Sequence, residues 1–196
     1  MERTLVAILG TLADFHREPI PYNLAALIRL VTDLKPDLLC LDITPEEWQR
    51  REFTELPPEY REALLPLAHQ TDIVVVPVAG DRPPDAPTAP GWRGQFLGIL
   101  WSWLAALHRR APGPEAVNGG WRHFLADELY GVIGWLADRH RAWKAHTAHL
   151  TQQVLDLARR DPGCRVLVTV NVRYCHHLRH ALKQHPEVQV VPYTQL

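Results

Sequence analysis

Short apolar runs, each stopping abruptly on polar residues, set the strongest limit on how this chain folds. Leu5, Val6, Ala7, Ile8 and Leu9 run to Gly10 and are followed by Thr11-Leu12-Ala13-Asp14-Phe15-His16. At the other end of the chain, Arg165–Val170 leads into Asn171-Val172-Arg173-Tyr174-Cys175-His176-His177. Runs of this length without polar alternation suit strands buried on both faces, the environment of a parallel sheet. Ligands of such sheets bind beyond the carboxyl ends of the strands. Both polar clusters are therefore expected on one sheet edge, with a candidate site assembled from the two ends of the chain.

Between these runs, strand and helix signals alternate. Leu24, Leu27, Ile28, Val31 and Leu34 recur at helical spacing over about 22–34, with Asn23 as the expected cap. Pro36-Asp37 then opens a second strand, Leu38–Ile43, which meets Asp42. Thr44-Pro45-Glu46-Glu47 has the pattern of a helix start. A helical stretch over 58–69 precedes a third strand, Ile73–Val78, and a helix over about 175–184 precedes a last one, Val188–Val191. Alternation of this kind predicts right-handed crossovers and a mainly parallel α/β sheet with flanking helices.

The alternation lapses over roughly 80–160. Gly80–Gly94 holds Pro83, Pro84, Pro87 and Pro90 and reads as a long loop. Phe96, Ile99, Leu100, Trp103, Leu104 and Leu107 then share an apolar helical face, and Ala111–Gly120 is a second break. From Trp121 to Arg160, Leu136, His140, Trp143, Thr147, Leu150, Val154 and Leu157 form one sustained seam, expected on a long helix. Gly131 and Gly134 mark a kink or a close crossing. The expectation is a single α/β domain, 1–196, carrying an inserted helical subdomain at 80–160.

Composition narrows the class. With 21 basic and 22 acidic residues the net charge is -1, which lacks the basic excess of a nucleic-acid binder working by counterion release. Three cysteines without CxxC spacing fit a reducing compartment. The start of the chain has no leader pattern, and Phe96–Leu107 is too short to span a bilayer. These features predict a cytoplasmic protein with no nucleic-acid or membrane partner. Six of the seven tryptophans fall between Trp92 and Trp143. Trp103 and Trp143 fit a helical core, whereas Trp92, between two proline-rich breaks, is the candidate for ligand or partner contact. Assembly of the Trp-rich helices into a homodimer is a further expectation.

The strand ends supply the chemistry. Asp14, His16, Asp42, Asn171, Arg173 and Tyr174 would converge there, offering carboxylate, imidazole and guanidinium for acid–base work or for binding an anion or metal. The alternative is that they merely solvate and cap the edge. His146 and His149, and His176, His177 and His180, have helical spacing but lack HExxH or a nearby carboxylate, and read as solvated surface residues. Cys175 next to His176 is a weak thiolate candidate, since adjacent helical residues do not face each other. No phosphate loop is present.

Three segments resemble the TraB/GumN/Tiki group, within the wider clan of ChaN-like and erythromycin-esterase-like proteins. Gly10-Thr11 ends a strand where those families have Gly-x-x-His. Lys35-Pro36-Asp37-Leu38-Leu39-Cys40-Leu41-Asp42 matches their helix, Pro-Asp, strand and terminal Glu. Arg139-His140-Arg141-Ala142-Trp143 is similar to their Arg-Asn-x-x-Trp. Departures are Ala13 at the histidine position, Asp42 for Glu, His140 for Asn, and Asn171 and Tyr174 in the last loop; Arg139 is retained. The resemblance implies an ester or peptide hydrolase, with a divalent metal as a cofactor of such families. It implies Asp42 as acid–base or metal-ligating carboxylate, His16 as auxiliary base, and Arg139 as stabiliser of a developing anion. Asn171 and Arg173 would orient a small-molecule or peptide ligand. A non-catalytic binding or scaffold protein that kept this fold is the rival expectation.

Overall fold

Each apolar run forms a strand: β1 (Thr4–Thr11), β2 (Leu38–Leu41), β3 (Val74–Pro77), β4 (Arg165–Asn171) and β5 (Val188–Val191). The computed structural model describes residues 3–51, 53–80, 83 and 89–196. All strand pairs are parallel, in the order β3-β2-β4-β1-β5. The sheet centre is sealed on both faces: Val6, Ala7, Leu9, Leu39, Cys40, Val166 and Leu167 have no exposed surface. Their unbroken apolarity, rather than alternation, is what two buried faces require.

The helices are α1 (Leu24–Leu34), α2 (Pro45–Arg50), α3 (Leu65–His69), α4 (Trp92–Arg109), α5 (Pro114–Asn118), α6 (Gly120–Leu136), α7 (His140–Arg160) and α8 (Val172–Leu182). Asn23 caps α1 by accepting from the Ala26 N–H at 3.0 Å. Thr44 and Glu47 cap α2 reciprocally, an arrangement that stabilises a helix start by about 1 kcal/mol. A π-helical turn, Glu59–Leu64, runs directly into α3. Among the described residues, only helices lie between β3 and β4.

Strand order decides which face each helix covers. The chain leaves β1 across β4 to reach β2, and leaves β4 across β1 to reach β5. Right-handed crossovers in opposite directions put α1 and the Glu59–Leu64 turn on one face and α7 and α8 on the other. Packing agrees: the turn touches α1, and α8 touches α7 and β1. From β2 the chain moves outward to β3 on one face, and from β4 it moves the opposite way to β5 on the other, so the adjacent ends of β2 and β4 are a topological switch point.

Three expectations are corrected. The seam from Trp121 to Arg160 is two helices, because Asp138 takes a left-handed conformation (φ 54°) and turns the chain between α6 and α7. Gly134 lies at their crossing, where an added Cβ would come within 2.8 Å of the Trp143 ring. The polar segment after β4 is not a loop: Asn171 accepts from the Arg173 N–H at 3.2 Å, and α8 starts at once. On α4 the buried face is Leu97, Leu100, Leu104 and His108, so Trp103 is 62% exposed instead of being core. Of the proline-rich break at 80–94, residues 81, 82 and 84–88 lie outside the described residues, and α4 begins within it at Trp92.

Candidate functional site

The end of β1 is filled by protein. Asn118 of α5 accepts from the Gly10 N–H and donates back to the Gly10 carbonyl, while the Tyr22 hydroxyl donates to that same carbonyl at 3.1 Å. An added Cβ at Gly10 would meet Cys175 Sγ at 2.9 Å and Val172 Cα at 3.1 Å. The first turn of α8 therefore sits directly on the end of β1, and this glycine makes the close approach possible.

A small polar crevice lies one strand over, at the switch point where β2 and β4 end. Asp42, Glu59, Asn171 and Arg173 line it, together with Ala13, Tyr60 and Tyr174. Asp42, Glu59 and Arg173 are almost completely buried, at 4%, 1% and 6% exposure. Such charges are tolerated in an interior only as a mutually compensating group. Asn171 Oδ1 accepts from Arg173 Nε at 3.1 Å, and the guanidinium stacks over Trp143 and Tyr174 with its carbon 5.5 and 5.3 Å from the ring centroids. The wider π-helical turn brings Glu59 and Tyr60 inward, and Tyr60 donates to the Thr169 carbonyl at 3.1 Å. Single π turns recur at functional sites.

Behind Asp42 stands His146 of α7. Its Nε2 lies 3.0 Å from Asp42 Oδ1 and 3.2 Å from Oδ2, with both side chains buried. A carboxylate only accepts, so Nε2 carries a proton towards Asp42; among the described residues Nδ1 has no hydrogen-bond partner. The Tyr174 ring packs against the imidazole at 4.8 Å. This Asp–His pair is the relationship that fixes an imidazole's tautomer in catalytic sites. The crevice holds about 20 Å³, space for roughly one water molecule.

Other expected site residues lie elsewhere. His16 is buried in the β1–α1 connection, where Nδ1 donates to the Tyr22 carbonyl at 2.8 Å and Nε2 accepts from the Leu12 N–H at 2.9 Å. Both nitrogens are thus committed to backbone, and burial lowers its pKa to about 4. Ala13, not His16, reaches the crevice. Arg139 precedes α7 and is half-buried, its N–H donating to the Gly134 carbonyl. His146 lies seven positions further on, roughly 10 Å of helix at about 1.5 Å per residue. Asp14 is exposed and pairs with Arg17 at 3.7 Å. Trp92 is 68% exposed at the start of α4, with Arg93 over its ring. Burial pushes the Cys175 thiol up to about 12, which removes it as a thiolate nucleophile.

Sequence reading missed His146 as a site residue by treating it as a surface histidine. Its position three residues after Trp143 and four before Leu150 places it on the buried seam, which was a usable signal. Glu59 carried no such signal, because a π turn has no distinctive periodicity over six residues.

Compared with family models, curated proteins and solved structures, the chain matches none. The site must therefore be read from its own geometry. Among the described residues, no three His, Cys, Asp or Glu side chains are grouped to hold a metal ion. Asp42 faces a histidine N–H, and the crevice beside it already contains a guanidinium. This donor set does not fit a divalent cation. Among the described residues, no helix is long and apolar enough to cross a membrane.

Proposed function

We propose that the protein is a hydrolase of esters or peptide bonds, TraB-like in the placement of its carboxylate at the end of the second strand. The observation that carries this is the convergence of Asp42, Asn171 and Arg173 on one crevice, with His146 hydrogen-bonded to Asp42. Asp42 accepts a proton from a water molecule as its oxygen attacks the carbonyl carbon. Arg173 stabilises the oxyanion that forms, and collapse of the intermediate returns the proton to the departing alcohol or amine. His146 and Asn171 are positioning residues: one holds the Asp42 carboxylate, the other the Arg173 guanidinium. Three free cysteines support the cytoplasmic location that goes with this reading.

Hydrolysis of p-nitrophenyl esters and short peptides tests it. Asp42→Asn, which preserves shape, is expected to lower kcat by about 10²–10⁴ with the circular dichroism spectrum unchanged. Arg173→Gln is expected to lose a comparable factor, and EDTA to leave the rate unaltered. Full activity in both variants overturns the assignment.

The small crevice favours a second reading, a non-catalytic binding or scaffold protein in which the polar cluster is a buried structural network. Asp42→Asn then lowers stability and no ester or peptide is turned over. Either reading accommodates a homodimer through α4 and α6, supported by Trp103, Trp121 and Trp135, each more than 60% exposed.

A further inference from the structure

A cavity of about 360 Å³ opens between α6, α7 and α8. Tyr130 and Trp143 form its aromatic wall, 6% and 8% exposed, with their rings edge to face at 6.5 Å. Its charged lining is of one sign, Arg173 and Lys144, beside the imidazoles of His140 and His177, and no carboxylate lines it among the described residues. That is notable in a chain whose net charge is -1. Stacking over Trp143 and Tyr174 holds the Arg173 guanidinium in a fixed plane. Small residues keep the space open: Gly131, Ala148 and Ala181 border it, and a Cβ added at Gly131 would meet nothing within 4 Å.

We propose that this cavity binds a small organic carboxylate with a flat apolar body, the two rings enclosing the body and Arg173 and Lys144 facing the carboxylate. Its volume is that of a small-molecule site, and aromatic walls with a few convergent polar groups are what such sites use. A planar guanidinium matches a carboxylate fork, and the Arg173 and Lys144 charges repel amines. The cavity adjoins the Asp42 crevice and shares the Arg173 guanidinium with it, and occupancy needs no turnover.

Calorimetric titration of the full chain with 3-phenylpropionate, 3-phenylpropan-1-ol and 3-phenylpropylamine tests the proposal. The carboxylate is expected to bind, with the alcohol weaker by about ten-fold or more, the amine undetected, and affinity falling as salt rises. Gly131→Leu fills the space from a helix position that favours it, so carboxylate binding is lost while the unfolding temperature holds or rises. Lys144→Glu, on an exposed side chain, is expected to weaken binding by about ten-fold. Equal affinity for all three probes, binding of none, or undiminished binding in a folded Gly131→Leu protein overturns it. The two readings fail separately. Retained turnover in Asp42→Asn removes the hydrolase and leaves the cavity, whereas no carboxylate binding removes the cavity and leaves the hydrolase.

Discussion

Two histidines outside the crevice make the fold sensitive to acid. His16 and His108 are buried, and burial lowers the pKa of each to about 4 from an ordinary value of 6.5. His16 spends both nitrogens on backbone, and His108 Nε2 lies 3.2 Å from the Tyr130 hydroxyl. The unfolded chain takes up a proton at each near pH 6.5, while the folded chain resists until about pH 4. Their contribution is therefore complete above pH 6.5 and declines as pH falls towards 4, by about 1.4 kcal/mol per pH unit for each histidine. Urea denaturation between pH 7 and 5 should show this decline, and His108→Phe should remove about half of it. An unchanged slope in that variant would mean that His108 titrates normally. At this scale the sequence showed an abundance of histidine but could not sort the residues. His16, His108 and His146 are buried while His140, His176 and His177 are exposed, and burial is decided by neighbours distant in the chain.

At the scale of elements, α6 holds two glycines with opposite roles. Gly134 lets Trp143 of α7 approach, since a Cβ there would lie 2.8 Å from Cζ3 and 2.9 Å from Cε3. Gly131, one turn earlier, faces open space. Alanine improves on glycine by about 1 kcal/mol in a helix interior, and overpacking a close contact costs about 1–3 kcal/mol. Gly131→Ala is thus expected to stabilise by about 1 kcal/mol, and Gly134→Ala to destabilise by up to about 2 kcal/mol once its propensity gain is offset. Chemical denaturation of the pair checks both signs, and equal shifts would contradict the α6–α7 crossing. Sequence periodicity located both helices but joined them, because the turn at Asp138 contains neither proline nor glycine. It also placed the polar cluster after β4 in a loop, since the cap that starts α8 is one asparagine inside an otherwise apolar-to-basic run.

The whole molecule presents an unusual outer surface. Trp92, Phe96, Ile99 and Trp103 lie exposed along α4, and Trp121, Phe124, Leu125, Val132 and Trp135 along α6, which packs beside it. Between Gly94 and Leu107, α4 carries no charged side chain. Exposed apolar side chains grouped on two packed helices mark an interaction site more often than bare solvent-facing helix. If a second copy covers it, light scattering should give twice the 22.4 kDa chain mass, and Trp103→Glu with Trp135→Glu should return the monomer. A monomer at all concentrations in the unaltered protein would exclude this assembly. Trp101 is less suitable for the test, since it is half-buried with its ring edge to face against Tyr130.

The sequence by itself determined the three central strands β1, β2 and β4, because a strand buried on both faces must be apolar throughout and that pattern is local, while the edge strands β3 and β5 were legible as shorter, half-exposed runs. It also placed Asp42, Asn171 and Arg173 at strand ends, since the residue following such a run is fixed by the run. Tertiary structure decided which ends are neighbours and what lies behind them. The order β3-β2-β4-β1-β5 sets Asp42 beside Arg173 across 131 positions of sequence numbering (173 − 42), while Asn118 and Tyr22 fill the end of β1. The α7 helix delivers His146, not His16, to Asp42. Those pairings depend on crossover direction and helix packing, which no short run of residues encodes.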